Sequence, residues 1–333
     1  MKKLSMAIGL SLVGLGVVAP APANAADSAT SGTEPVVAPC ATEPTVIGGI
    51  ELGCLTDHLF VFADGHDDAN WQASSKGYVG DVAVAGTVAK ERTSGSFAYA
   101  GLILTDDTSV GKWDRIIDEN RSQAAASHGN TDYLASLTDE LHKAIGQIQA
   151  LSVTSGYEQR SPGSLDGLDT ADGVDQVVVI DITDDMKVSR QIDITGDAGD
   201  VFIMRWDSDA DPANGLNGQV KFQSGGAIVP HGELGPHSFI HVAGDINASG
   251  GGDTPALPFP QGPRLDNGTG ELIEGAKDFD GGGFFTGYWL TTGQPGSGKN
   301  SSLSNGIFVG GWYTLSTKFS LTSGTSGVHV APP

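Results

Sequence analysis

Residues 177–204 read VVVIDITDDMKVSRQIDITGDAGDVFIM. Three apolar runs stand close together here: Val177-Val178-Val179-Ile180-Asp181-Ile182, Ile192-Asp193-Ile194 and Val201-Phe202-Ile203-Met204. Their β-branched and aromatic residues favour strands, and the Asp, Ser and Gly between them favour turns. The pattern continues outward. Val220-Lys221-Phe222, Phe239-Ile240-His241-Val242, Tyr288-Trp289-Leu290, Ile307-Phe308-Val309 and Phe319-Ser320-Leu321 follow. Leu59–Phe62, Val79–Val88 and Phe97–Leu104 precede. The 48 glycines show no period of three, so they serve tight turns and not a collagen helix. Many short strands of similar length permit a sandwich, a barrel or a stacked solenoid, and periodicity does not choose among them.

One stretch changes period. Trp113, Ile116 and Ile117 are spaced i, i+3, i+4, and Gly129 is a stop signal. Asn130-Thr131 can cap a second segment, in which Leu134, Leu137, Leu141, Ile145 and Ile148 form one apolar stripe. The spacing predicts a helical region over 112–151 whose stripe must lie against an apolar surface.

The order of segments carries a family resemblance. Leu59-Phe60-Val61-Phe62-Ala63-Asp64-Gly65 followed by Gly80-Asp81-Val82-Ala83-Val84-Ala85-Gly86 resembles the opening of the bacterial choice-of-anchor A domain. The likeness continues through Ile194–Ile203, Ser238–Gly244, Gly287–Leu290 and Asn305–Gly311. The same order resembles the bacterial ice-binding β-solenoid family: early strands, one long helix, a "GDVFIF"-like strand, then Gly-rich rungs. Both likenesses cover about residues 57–330. They imply a mainly β fold, a β-solenoid (β-helix) with one long α-helix packed along its side. The chain departs from the first family at Val330-Ala331-Pro332-Pro333, where no sorting tail is visible, and in the insertion Asp253–Gly283. Release or non-covalent retention is therefore expected over covalent display.

The N-terminus reads as an export signal. Lys2 and Lys3 form a positive region, Leu4–Val18 is apolar or small, and Ala23-Asn24-Ala25 offers a cleavage site. The run is too short to cross a bilayer, and no second long apolar run suggests a membrane span. The expected organisation is a signal peptide at 1–25, a linker at 26–56 and a solenoid domain at 57–333, secreted or associated with the cell surface. Losing Lys2 and Lys3 leaves 16 basic against 40 acidic residues, a charge near −24. That argues against nucleic acid and anionic membranes as partners. Outside the cytoplasm the two cysteines, Cys40 and Cys54, are expected to pair.

Several constellations could carry chemistry. Asp207, Asp209 and Asp211 alternate as Ca²⁺ loops do, with Asn214 nearby, and this turn is the one cofactor candidate, for calcium. Pro212 and Gly218 stand where an EF-hand needs Gly and Glu, which excludes that motif. His231, Glu233, His237 and His241 are ligand types, but His237 and His241 would be about 13 Å apart on a strand. Histidines at a rung edge are the default. Gly293–Lys299 imitates a phosphate loop, yet Asn300 replaces the Ser or Thr that would hold Mg²⁺. Asp181, Asp184, Asp185, Asp193, Asp197 and Asp200 could supply paired carboxylates for glycoside hydrolysis, or merely shape turns. Thr314 and Ser316, with Ser320 and Thr322, alternate as a hydroxyl face for ice would, though Trp312, Tyr313 and Lys318 interrupt them.

The export signal, the solenoid-like order and the absence of a catalytic motif lead to a secreted non-enzymatic surface or matrix protein that works by adhesion or ligand binding. An ice-binding (antifreeze) protein is the second expectation and a secreted carbohydrate-active β-helix enzyme the third. The partners expected are an extracellular surface, a matrix polymer or ice, and exposed strand edges leave stacking into filaments open.

Overall fold

The computed structural model describes residues 44–71, 77–91, 98–106, 111, 123–184, 186–207, 216–223, 225–248, 264–265, 272–273, 283–293, 301–303, 306–316, 318–321 and 325–332. All lie in one compact unit, Pro35–Pro333. A hairpin of β1 (Val46–Ile47) and β2 (Ile50–Glu51) leads through a 3₁₀ turn at Gly53–Asp57 to β3 (His58–Trp71), β4 (Gly77–Val79), β5 (Asp81–Glu91), β6 (Ala98–Thr105) and β7 (Gln123–Ser127). The helix α1 (Thr131–Gln149) follows. Then come β8 (Leu168–Asp169), β9 (Val177–Ile182), β10 (Lys187–Val188), β11 (Gln191–Gly196), β12 (Val201–Trp206), β13 (Gln219–Phe222), β14 (Ala227–Gly232), β15 (Phe239–Ala243) and β16 (Asp245–Ala248). A small hairpin, β17 (Arg264–Leu265) and β18 (Leu272–Ile273), precedes β19 (Gly283–Thr291), β20 (Ser301–Leu303), β21 (Gly306–Thr314), β22 (Lys318–Leu321) and β23 (Thr325–Val328).

Apart from the two hairpins, every strand pairing among the described residues is parallel, and the pairings sort into three ladders. Face A stacks β9, β12, β15, the C-terminal half of β19, that of β21, then the N-terminal half of β3, that of β5, and the C-terminal half of β6. Face B stacks β8, β11, β14, the N-terminal halves of β19 and β21, β23, β4 and the start of β6. Face C stacks β10, β13, β16, β20, β22 and the C-terminal halves of β3 and β5. The chain is a three-faced parallel β-solenoid, mainly β with a long helix on one side, as the resemblance implied.

The stacking order is not the chain order. The coils from β3 to β6 continue the column after β21 to β23, so Trp312 registers on Phe60 and Val328 on Val79. The α1 helix carries the chain back along face A to start the column at its other end. Its 19 residues span about 28 Å, close to the roughly 34 Å that eight strands occupy. Where β19 and β21 bend from face B to face A, Gly287 (φ 98°) registers on Gly310 (φ 136°). A Cβ at Gly310 would run into the Gly287 backbone, so this corner needs glycine for both conformation and space.

Inward side chains fill the column, including Phe60, Phe62, Trp206, Trp289, Phe308, Trp312 and Phe319. Phe62 and Phe319 stack at 3.4 Å. A second layer lies between face A and α1. There Leu134, Leu137, Leu141, Ile145 and Ile148, the predicted stripe, are buried against Val61, Ala83, Ile203, Val242, Leu290 and Tyr313. At about 2 kcal/mol per buried aliphatic side chain, those five contribute roughly 10 kcal/mol before chain entropy. The 152–165 segment covers the first coil: Thr154 N donates to Val179 O, Arg160 N to Asp181 O, and Tyr157 packs on the core. That pairing protects an edge that would otherwise recruit other strands.

Two details of the helical expectation change. Residues 112–122 lie outside the described residues, and Gln123–Ser127 within the predicted 112–151 region is a strand paired to β6. Asn130 occupies the N-cap position but makes no side-chain cap. Its Nδ2 donates to Thr105 O and Ser127 O, tying the helix start to the strands. No described helix is long and apolar enough to cross a membrane.

Cys54 is buried beneath α1, and no described cysteine is free. Cys40, with the expected signal peptide and most of the expected linker, lies outside the described residues. The expected Cys40–Cys54 bond is tested by non-reducing peptide mass spectrometry, which should return the linked pair. Reduction should lower unfolding stability by about 3 kcal/mol, the value for a loop of about 15 residues.

Candidate functional site

Face A is covered by α1. The middle of face B is covered as well: Ala227, Val229, Ile307 and Val309 point outward from the column yet are buried, with Val330 packed on them. Face C is different. Its outward positions Lys187, Lys221, Asn247, Ser302 and Ser320 form one ladder, each in register with the next, and the backbone register continues to Asn70 and Lys90. Lys187 is exposed, and Lys221, Asn247, Ser302 and Ser320 are half-buried. Seven strands at about 4.8 Å make a row of roughly 29 Å. The alternating inward residues Val188, Val220, Phe222, Ile246, Leu303, Phe319 and Leu321 fix which side chains point out.

A buried polar layer stiffens the corner between faces A and C. Asp245 Oδ1 accepts from Ser301 Oγ at 3.2 Å and from Ser316 Oγ at 3.1 Å. Ser316 N donates to Thr314 Oγ1, and Trp312 Nε1 donates to Thr291 Oγ1. This layer corrects half of the predicted hydroxyl face. Thr314 and Ser316 are buried, because Thr314 has the inward parity of Trp312 and Ser316 turns into the corner. Ser320 does point outward on face C, and Thr322 lies outside the described residues.

The other candidates separate. Asp207 is buried at the end of β12, Asp209 and Asp211 lie outside the described residues, and no described cluster of His, Cys, Asp and Glu could hold a metal ion. Glu233 is exposed, and His231 Nε2 lies 2.7 Å from Asp193 Oδ1 on face B. His237 sits in a 3₁₀ turn before β15, not on the strand. His241 corrects the rung-edge reading, because it is fully buried inside the column. Its ring stacks on Trp289 at 3.8 Å, and its Nδ1 is 3.4 Å from the donor Trp206 Nε1. Burial holds its pKa down at about 3, so it is neutral in ordinary conditions. The phosphate-loop mimic at 294–299 and Asp185 lie outside the described residues.

The remaining acids mostly hold backbone together. Asp200, fully buried, accepts from Thr170 Oγ1, Gln176 N and Asp197 N. Asp197 accepts from Gly173 N, and Asp181 pairs with Arg205. A groove of about 280 Å³ opens between α1 and β5, with Asp106 and Asp139 in its wall, and Asp106 Oδ2 accepts from Gly86 N. The sequence could not reveal the face C row, because its members come from seven strands whose neighbours are set by register alone.

No family model and no curated relative matches the sequence. Solved structures do show similarity. An ice-binding protein from an Arctic yeast is 13% identical with a TM-score of 0.47, over 87% of this chain and 98% of that one. The DUF3494 domain of an ice-binding protein from Shewanella frigidimarina is 11% identical with a TM-score of 0.44, over 85% of this chain and 98% of that one. An ice-binding protein from an Antarctic Flavobacteriaceae bacterium is 10% identical with a TM-score of 0.45, over 90% of this chain and 52% of that one. The resemblance to the choice-of-anchor A domain rests on the sequence phrases alone.

Proposed function

We propose that this chain binds ice, and that face C is the surface that does so. The observation that carries the reading is the run Asn247, Ser302, Ser320 at the centre of the row, in register and partly exposed. Short hydroxyl and amide side chains at a fixed strand spacing suit a lattice ligand better than a small molecule. A rigid parallel stack loses little freedom when it docks, and each rung adds a contact without a new entropic cost. The same reading needs no metal, cofactor or catalytic group. It replaces adhesion as the leading interpretation, and among the described residues the predicted 314–322 hydroxyl array contributes Ser320.

The test is thermal hysteresis and inhibition of ice recrystallisation by the purified chain. Activity should be present in the wild type and fall about tenfold or more in the S302Y/S320Y variant, the equivalent of losing about 1.4 kcal/mol of surface contact. A T195Y variant, altered on face B, should keep full activity. Absence of hysteresis in the wild type, or equal loss in T195Y, would remove ice or face C from the reading.

A further inference from the structure

Residues far apart in sequence meet at the corner between faces A and B, where β23 lies between β21 and β4. The chain leaving β23 is fastened there by four contacts. His329 N donates to Val79 O at 2.8 Å, and His329 Nε2 donates to Thr56 O at 2.7 Å. Tyr288 Oη donates to Val330 O at 2.9 Å, and the Val330 side chain packs on the buried face B patch of Ala227, Val229, Ile307 and Val309. Gly80 (φ 134°) leaves the room, since a Cβ there would meet the His329 Cβ. Beyond Val330 the hold ends. Ala331 is exposed, and among the described residues neither it nor Pro332 makes a hydrogen bond.

A carbonyl oxygen only accepts, so the bond to Thr56 places one proton on His329 Nε2 and leaves Nδ1 to take the next. A second histidine stands beside it. His58 is buried, with Nε2 2.9 Å from Tyr133 Oη and Nδ1 enclosed without a hydrogen bond. Burial lowers the pKa of both rings, and a charge on His329 opposes one on His58. Asp57 and Asp81 favour the charged form of His329, though burial outweighs them, so the first proton goes to His329. Tyr133, Tyr288 and Tyr313 stay neutral, because burial raises all three. Glu140 of α1 accepts from Cys54 N in the same 3₁₀ turn and loses its charge in acid. The two rings differ in how they shed an unfavourable charge. His58 opens β3, whose Phe60 and Phe62 fill the column, so it reaches water only by unfolding. His329 is half-buried on a lightly held segment, and local release is enough.

We propose that residues 329–332 are an acid-released latch, closed at neutral pH on Thr56, Val79 and Tyr288, and freed when His329 takes up a proton while the column stays folded. Release lifts Val330 from the face B patch and leaves the Val79 and Thr56 carbonyls to water. The freed ring titrates near the ordinary value of 6.5, while the closed ring resists to lower pH. The open form therefore binds more protons in that window, and opening rises as pH falls, by about tenfold for each unit. Above pH 6.5 the latch is at its tightest. The proposal is independent of the ice reading, since no residue of the latch lies on face C.

Hydrogen exchange of the full chain, read by mass spectrometry at pH 7.5 and pH 5 for the wild type and H329Q, tests this. Glutamine keeps a donor for Thr56 O and takes up no proton. At pH 7.5 the two proteins should protect Val328–Ala331 alike. At pH 5 the wild type should exchange there about tenfold faster than H329Q, whereas Leu134–Ile148 of α1 should exchange equally in both. Glu140 titrates in both proteins and drops out of the comparison. The His329 ring signal in NMR gives a second reading on the wild type, and its titration midpoint should coincide with the midpoint of opening. Equal exchange of the two proteins at pH 5, a ring midpoint apart from that of opening, or equal acceleration along α1 would each overturn the latch. Should H329Q already exchange freely at pH 7.5, the wild-type ring titration decides alone.

Discussion

Between pH 6.5 and pH 3 the protein should lose several kcal/mol of unfolding stability, and His241→Phe should remove a large share of the histidine-linked part of that loss. His241 is enclosed by Trp206, Trp289 and Phe239. His58 is buried at the start of β3, with its Nε2 2.9 Å from Tyr133 Oη. Burial holds both pKa values down at about 3, and for His58 the neighbouring His329 adds to the effect. The unfolded chain takes up these protons near pH 6.5, while the folded chain resists them until about pH 3. The unfolded state therefore binds more protons throughout that window, and stability falls as pH falls through it. Above pH 6.5 the contribution is complete. At about 1.4 kcal/mol per pH unit the limit is roughly 5 kcal/mol for each histidine. Glu140 works in the opposite direction, because burial raises its pKa in the folded chain. Urea unfolding at pH 7.5, 5.5 and 4 checks the prediction. At pH 7.5, H241F should lose about 1 kcal/mol, the worth of the Trp206 hydrogen bond. At pH 4 it should match or exceed the wild type. Parallel stability curves for the two proteins would sink the assignment.

His241 also shows what was legible in the sequence. It has the strand parity of Phe239, so an apolar neighbour two residues away already pointed to an interior position. The α1 stripe was fully readable, because a 3.6-residue period needs only local sequence, and all five of its residues are buried. Two readings failed through competition between local and distant preferences. Ala124, Ala125 and Ala126 favour a helix, but β6 recruits them as a strand. Thr314 sits beside Tyr313 and two residues from Trp312, and both rings are buried, Trp312 in the column and Tyr313 under α1. With both faces of that strand covered, alternation in the sequence does not say which side the hydroxyl takes. The joining of the last coils to the first links residue 312 to residue 60, and no local signal encodes that distance. The face C row depends on the same non-local register. It could be assembled only once each strand's neighbour was known.

Arg205→Ala should be the most damaging single change on face A, lowering stability by about 3–5 kcal/mol. Arg205 is buried in β12, directly in register with Asp181 on β9. Its Nε and Nη2 donate to the two oxygens of Asp181 at 2.6 and 2.9 Å. Its Nη1 donates to Leu151 O at 2.8 Å and lies 3.4 Å from Ile148 O. The last carbonyls of a helix have no partners within it and carry partial negative charge. One guanidinium thus joins two strands of the first coil to the end of the helix that returns the chain to that coil. Truncation would leave a partly buried carboxylate and those carbonyls without a donor, and each is costly to desolvate. Lysine restores the charge but cannot span both Asp181 oxygens and the helix end, so R205K should recover less than half of the loss. Removing both charges should hurt less than removing one. R205M/D181L replaces the pair with apolar groups and should lie well above R205A in urea midpoint. Hydrogen exchange at the end of α1 separates this role from general core damage. R205A should speed exchange at Ile148–Leu151 more than at Thr131–Leu134, and equal acceleration along the helix would mean that the arginine acts only through packing.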